Sequence, residues 1–408
     1  MTSTETDTGT AEVEERALVA ARLAFGPDWR PDRVATAPGR IELLGNHLDY
    51  NGGPVLAAAI DRFVVVLAGD APAGAAIEAV AADVPDVGTA RLDPAALRGW
   101  RDDAPDDPYD YARGVIAATL ERPELRLRPA RLAIAGDVPI GFGLSSSAAL
   151  CVGLGLALTE PTPGPKELVR LAQEAEHRAG APVGAMDQSA SVAGGVIEFD
   201  GATLGVRRLV PELGDLVFAV ADSGVDRSLG SSAYPTRVEE SRRALEQARR
   251  VLGVEIPHFA DLTPEQLDAL TGGSDPLPEP LLARARHVVS ETARVRAGVA
   301  ALEAGDWRRF GELMTASGRS SATDYAISHP RVEELVTEAM AVEGVLGARM
   351  MGGGEGGTAL NLLPRDRVAV LEAALRRGYY RRHGMAERDD LVHVCAFAPG
   401  ARLERVEG

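Results

Sequence analysis

"GDVPIGFGLSSSAAL", residues 136–150, sets three glycines, a proline and three consecutive serines in front of an apolar run. A tight turn entering a helix, with serine as its N-cap, explains such a composition. So does a cradle for phosphate. Gly141 and Gly143 let the backbone approach an anion closely and adopt positive φ, so that successive N–H groups point inward. Ser145, Ser146 and Ser147 add hydroxyls, and a following helix contributes roughly half a positive charge at its N-terminus. The continuation "AALCVGLGLAL" is apolar on all sides, which predicts a helix buried in a domain centre. The preceding "RLAIA" (131–135) reads as a short strand that feeds the loop. A dinucleotide fingerprint fits poorly, because its third glycine would fall at Ser146.

The phosphate reading has to work without the usual lysine. The chain has 408 residues and 43 basic ones, yet Lys166 is its only lysine. A Walker-A loop needs Gly-Lys-Ser/Thr so that the lysine reaches the terminal phosphates. Lys166 sits in "GPKELV", without a glycine cradle and without a following Ser or Thr. A protein-kinase fold needs a strand lysine, and "PTPGPKELV" does not read as that strand.

Bulk composition narrows the class. Hydrophobic content of 45% and charged content of 25% are those of an ordinary soluble globular protein. A net charge of −17 argues against binding nucleic acid or an anionic membrane. No charge-free apolar stretch reaches the roughly 18 residues of a membrane span. The start, "MTSTETDTGTAEVEE", lacks the hydrophobic segment of a signal peptide and reads as an arm leading into a helix from about Ala11. Cys151 and Cys395 lie in separate apolar stretches, as reduced, packed thiols of a cytoplasmic protein do.

Residues 33–66 alternate β-prone runs with turns at Pro38-Gly39 and Asn51-Gly52-Gly53. "PKELVRLAQEAEHRAG" (165–180) predicts a helix opened by Pro165 and stopped by Gly180. Val169, Ala172 and Glu176 share one face of it, so a carboxylate turns inward unless it twists to solvent at the helix end. From about 206–216 onward helices dominate. A long one carries the stripe Val288, Thr292, Val295, Val299 and Leu302, and a Pro-rich acidic connection spans about 254–280. The expectation is two α+β domains, 1–210 and 211–408.

Three further stretches carry chemistry. "APGRIELLGNHLDYNGG" (37–53) gathers Arg40, Asn46, His47, Asp49 and Tyr50 around a glycine turn, a set that suits a small polyhydroxylated substrate. "APVGAMDQSASVAGG" (181–195) sets Asp187 among small residues. Such an aspartate is a helix cap or, partly desolvated beside an arginine, a proton acceptor for a hydroxyl. "GARMMGGGEGGTALNLL" (347–363) has five glycines in six positions, 352–357, as in a close-approach loop over a ligand. No His/Cys/Asp spacing suggests zinc.

Taken together and in this order, the motifs resemble those of the GHMP small-molecule kinases, and within them the galactokinase branch. "GRIELLGNHLDYNGG" resembles the sugar signature, "PIGFGLSSSAAL" the phosphate motif, "EHRAGAPVGAMDQSAS" the aspartate motif, and "GARMMGGGEGG" the C-terminal glycine motif. "DRSLGSSAYPTRVEE" (226–240) resembles the segment that supplies a sugar-binding tyrosine, here Tyr234.

The resemblance implies an α+β, two-domain architecture. An N-terminal mixed-sheet domain and a C-terminal ferredoxin-like α/β plait would flank the active-site cleft. It implies ATP-dependent phosphorylation of a sugar at its anomeric hydroxyl, most readily galactose. Asp187 would be the base and Arg40 its charge partner. Ser147 and Glu176 would hold Mg²⁺. Gly141, Phe142, Gly143, Leu144, Ser145, Ser146 and Ser147 would wrap ATP, while Asn46, His47, Leu48, Asp49 and Tyr234 would line the sugar pocket. The partners implied are sugar and ATP alone, for a monomer.

The chain departs from the family pattern at Asn46, usually glutamate, at Asp226, usually basic, and at Glu355, usually phenylalanine. The first two bear on which sugar is chosen, so a kinase for another sugar or sugar acid is the alternative. A non-catalytic sugar and ATP sensor is a second, against which the intact "LSSSAA" stands.

Overall fold

The computed structural model describes residues 3–71, 75–102, 107–225 and 234–406. Strands β1 (Arg33–Leu44), β2 (Pro54–Asp70), β3 (Ile77–Ala81), β4 (Ala90–Leu92), β6 (Ala130–Gly136), β8 (Val196–Asp200), β9 (Gly205–Leu209) and β14 (Arg402–Arg405) make the first sheet. Its main path is β14-β1-β2-β6-β3-β4, with β8 and β9 on the far end of β2. Only β3 and β6 run parallel; the other pairs are antiparallel. The short β5 (Arg126–Leu127) and β7 (Thr159–Glu160) pair separately.

Strand β2 shows why its apolar run is continuous: both faces are covered. Val65 and Leu67 meet helix α1 (Ser3–Phe25) through Val13, Ala17 and Ala21, while Val64, Val66 and Ala68 face the main core. On that side lie α2 (Asp110–Leu120), α3 (Ser146–Leu158), α4 (Pro165–Arg178) and α5 (Met186–Ala193). Helix α3 is buried along nearly its whole length, as its all-round apolar sequence demands. In α4, Val169, Ala172 and Glu176 are all buried.

The second sheet joins β10 (Leu216–Asp222), β11 (Gly347–Met350), β12 (Thr358–Pro364) and β13 (Val392–Cys395) in the order β11-β12-β10-β13, all antiparallel. This is the split βαββαβ arrangement of a ferredoxin-like plait. Between β10 and β11 run α6 (Tyr234–Leu252), α7 (Pro264–Gly272), α8 (Leu281–Ala304), α9 (Trp307–Thr323) and α10 (Pro330–Met340); α11 (Val368–Leu375) follows β12. Val217, Ala219 and Ala221 face α10 and α11. Phe218, on the opposite face, packs edge-on against Trp307 and Phe310 of α9. The expected stripe on α8, Val288 to Leu302, is buried.

Two expectations need amending. The first helix starts at Ser3 rather than near Ala11, since no proline interrupts that polar run, and it packs on the sheet through Val13, Ala17 and Ala21. The 254–280 connection contains α7, opened by Pro264 and a capping box between Thr263 and Gln266. Helices dominate after residue 210 as expected; five strands, β10 to β14, accompany them, and the last crosses back to pair with β1. Both cysteines are free and buried. Among the described residues no helix is long and apolar enough to cross a membrane.

Candidate active site

Strand β1 and the opening motif meet at Gly39. A Cβ there would lie 2.7 Å from the Leu144 carbonyl oxygen, so only glycine permits the approach. The Arg40 N–H then donates to that same carbonyl at 3.0 Å. Arg40 is almost wholly buried, and its guanidinium reaches three acceptors. Nε and Nη2 donate to Asp187 Oδ1 and Oδ2 at 2.8 and 2.7 Å, and Nη1 donates to the Gly143 carbonyl at 2.6 Å. Asp187 stands in the first turn of α5 and takes a further hydrogen bond from the Ser145 hydroxyl. Its side chain keeps 22% of its surface open, whereas that of Arg40 keeps 5%. The pair is therefore a solvent-reachable carboxylate held by a buried cation.

Behind it, the Ser147 hydroxyl donates to Glu176 Oε1 at 2.7 Å, and the Gln188 amide donates to Oε2. Burial pushes the Glu176 carboxyl up to about 7, with the charge of Asp187 adding to the rise. A buried carboxylate beside a hydroxyl offers hard oxygen donors that suit a Mg²⁺ ion retaining waters and phosphate oxygens. Tyr111 of α2 also belongs here: it hydrogen-bonds Ser147, and burial raises its hydroxyl pKa.

The loop at 141–147 presents mainly its backbone. Phe142 and Leu144 are buried, and Phe142 meets His393 edge-on. Gly141 and Gly143 take φ of 85° and 70°. Ser145 precedes α3 in the left-handed region and makes no side-chain cap to the helix. The first-turn N–H groups at Ser146 and Ser147 are thus not met by a capping side chain.

On the other side of Asp187 lie Asp49, His47, Tyr50 and Tyr234. Asp49 packs against Gly184, where a Cβ would sit 1.6 Å from Oδ2. Burial, with the charges of Asp187 and Glu42, pushes Asp49 up to about 7. The Gly184 backbone also hydrogen-bonds the Tyr234 hydroxyl, whose pKa is raised by burial and by Asp49 and Asp187. The His47 ring stands 5.0 Å from that of Tyr234. His47 Nε2 faces the Gly353 carbonyl at 3.3 Å, while Nδ1 shares a 2.8 Å hydrogen bond with the Tyr50 hydroxyl.

Two of the expected sugar contacts are placed otherwise. Asn46 is fully buried: its amide donates to Glu42 Oε1 and the Gly352 carbonyl, each at 2.9 Å, and accepts from Ser321 at 3.2 Å. Both amide hydrogens and one lone pair of Oδ1 are thus engaged by the protein. Leu48 is a core residue, its N–H and carbonyl both used within the turn. Asp226 and the rest of the segment before Tyr234, 226–233, lie outside the described residues.

Several residues that hold the site escape a reading by motif. Glu42 pairs with the buried Arg349 at 2.9 Å. Glu291 accepts the Gly45 N–H at 2.9 Å and the Ser317 hydroxyl at 2.6 Å. His287 meets the Asn46 carbonyl at 3.0 Å, and Tyr325 joins Tyr50, Asn51 and Ser241 through its hydroxyl. The available signal was the polar His287 and Glu291 one turn apart beside the apolar stripe of α8. The C-terminal glycine loop spans both halves of the cleft: it holds Asn46 and His47 at one end, and Thr358 donates to the Phe142 carbonyl at the other. Glu355 sits there at φ 59°, its N–H donated to the Ile327 carbonyl.

Comparison with known proteins matches three family models. They are the galactokinase galactose-binding signature over residues 22–70, the GHMP kinases N terminal domain over 110–195 and the GHMP kinases C terminal domain over 299–381. A galactokinase from Roseiflexus sp. (strain RS-1) is 37% identical over 379 residues, 91% of this chain and 92% of that protein. The Homo sapiens galactokinase is 37% identical over 362 residues, 85% of this chain and 88% of its own. The crystal structure of Lactococcus lactis galactokinase complexed with galactose superposes with a TM-score of 0.84 at 29% identity, covering 96% of this chain and 99% of that one. A mevalonate kinase shares the fold at a TM-score of 0.61 and 16% identity, over 89% of this chain and 98% of that one.

Proposed function

The chain belongs to the galactokinase family of the GHMP kinases, and we propose on that premise that it transfers the γ-phosphoryl group of ATP to the anomeric hydroxyl of galactose. The observation that carries the assignment of roles is the Arg40–Asp187 fork, set between the phosphate loop and the His47–Asp49–Tyr234 cluster.

Asp187 takes the proton of the anomeric hydroxyl as that oxygen bonds to the γ-phosphorus. The bond from phosphorus to the β–γ bridging oxygen breaks, and ADP leaves with the electron pair. Phosphoryl transfer needs positioning and charge neutralisation above all. Arg40 orients the carboxylate through its two-point fork; backbone N–H groups at the start of α3 face the phosphates. Ser147 and Glu176 would hold Mg²⁺, which neutralises charge on the phosphate oxygens when bound. His47, Asp49 and Tyr234 orient the sugar hydroxyls. The site therefore takes two small dissolved partners, sugar and ATP.

The test is purified protein with ATP, Mg²⁺ and a panel of hexoses, hexosamines and sugar acids, followed by ADP release. Galactose is expected to give the highest kcat/KM. Release that no sugar stimulates would overturn the proposal, and a sugar acid preferred over galactose would overturn the substrate.

A further inference from the structure

Ser145 occupies the residue before α3, where a serine ordinarily accepts a hydrogen bond from an N–H of the first helical turn. It makes no such bond. Its backbone lies at φ 61°, ψ 47°, in the left-handed region, which strains a side-chain-bearing residue and not glycine. What serine adds at that position is its hydroxyl. The hydroxyl donates to Asp187 Oδ2, the oxygen that also receives Arg40 Nη2.

The two residues before it act on the same pair. The Gly143 carbonyl accepts from Arg40 Nη1, and the Leu144 carbonyl accepts from the Arg40 N–H. Three consecutive residues of the phosphate loop therefore brace the arginine–aspartate fork. Two donors engage Oδ2 and one, Arg40 Nε, engages Oδ1.

We infer that Ser145 is a positioning residue for Asp187 rather than a phosphate ligand. Its hydroxyl fixes the rotation of the carboxylate, so that Oδ1 is the oxygen presented to the sugar hydroxyl. The left-handed turn exists to place that hydroxyl while leaving the helix N-terminus uncapped. The inference rests on the reading of Asp187 as the base.

Ser145→Gly tests it cleanly, because glycine adopts the same backbone without strain and removes only the hydroxymethyl group. Ser145→Ala serves as a second variant, with thermal unfolding of both as a check on folding. The expected result is a kcat lowered about tenfold or more. KM for ATP and the affinity for a non-hydrolysable ATP analogue should stay within about twofold. In an Asp187→Asn background, Ser145→Gly should lower the rate no further. A native kcat with ATP affinity weakened tenfold would overturn the inference and make Ser145 a phosphate ligand. Native values throughout, with Asp187→Asn inactive, would overturn the positioning role alone. An active Asp187→Asn would instead strike the base assignment, and the inference with it.

Discussion

Arg40 and Asp187, 147 residues apart in sequence, meet as a two-point fork with Nε–Oδ1 at 2.8 Å and Nη2–Oδ2 at 2.7 Å. A lysine at position 40 supplies a point charge but neither the planar fork nor the third bond to the Gly143 carbonyl. Arg40→Lys is expected to lower kcat by about 10²-fold or more while changing KM for ATP little. Steady-state kinetics against both substrates checks this, and a kcat within threefold of the parent would refute the requirement for the fork.

Glu42 and Asn46 form one buried unit with Arg349. Asn46→Glu puts a second carboxylate against Glu42, whose buried ion pair is with Arg349, and is expected to destabilise the fold by about 3 kcal/mol or more. Glu42→Asn/Asn46→Glu restores one acid and one amide, so it should recover a large part of that loss. Denaturant unfolding of the two single variants and the double one measures the coupling; additive losses would contradict it.

Gly184 has no room for a side chain, since its Cβ would lie 1.6 Å from Asp49 Oδ2. Gly184→Ala must displace Asp49 and, through the backbone contact, Tyr234. The expected outcome is a tenfold or larger fall in kcat/KM for the sugar, with KM for ATP nearly unchanged. Crystals of the variant would show Asp49 moved.

How far these relationships could be read from sequence depends on their reach along the chain. Strand β1, helix α3 and helix α4 followed from local periodicity and from Gly and Pro punctuation, and Glu176 lies on the inward face its spacing gave it. The orientation of Asn46 was not readable: its partners include Gly352 and Ser321, 306 and 275 positions away, so only the folded chain decides that its amide turns inward. Ser145 looked like one of three equivalent serines. Its left-handed backbone and its hydroxyl's bond to Asp187, 42 positions away, exist only in the folded chain.

Glu291 gives a pH signature. Burial works to raise its pKa, yet the charges of Arg294, His287 and Arg349 and the Ser317 hydroxyl hold it at about 2, against an ordinary 4.5. A carboxyl lowered by folding contributes stability that is present above its unfolded pKa and lost as pH falls through the folded one. The stability difference between the parent and Glu291→Gln should therefore be constant above about pH 5. It should shrink steadily between about pH 4.5 and 2, as thermal unfolding at a series of pH values would record. A difference independent of pH over that window would rule out the buried anion.

Phosphoryl transfer from ATP is expected to reach the anomeric oxygen of galactose. Phosphorus NMR of the reaction of galactose with ATP and Mg²⁺ tests it most directly, because it reports which carbon bears the new phosphate. The expected product is a sugar phosphate whose phosphorus couples to the anomeric proton, formed in step with ADP and absent with Asp187→Asn. A phosphate on any other carbon, or ADP formed without a sugar phosphate, would contradict it.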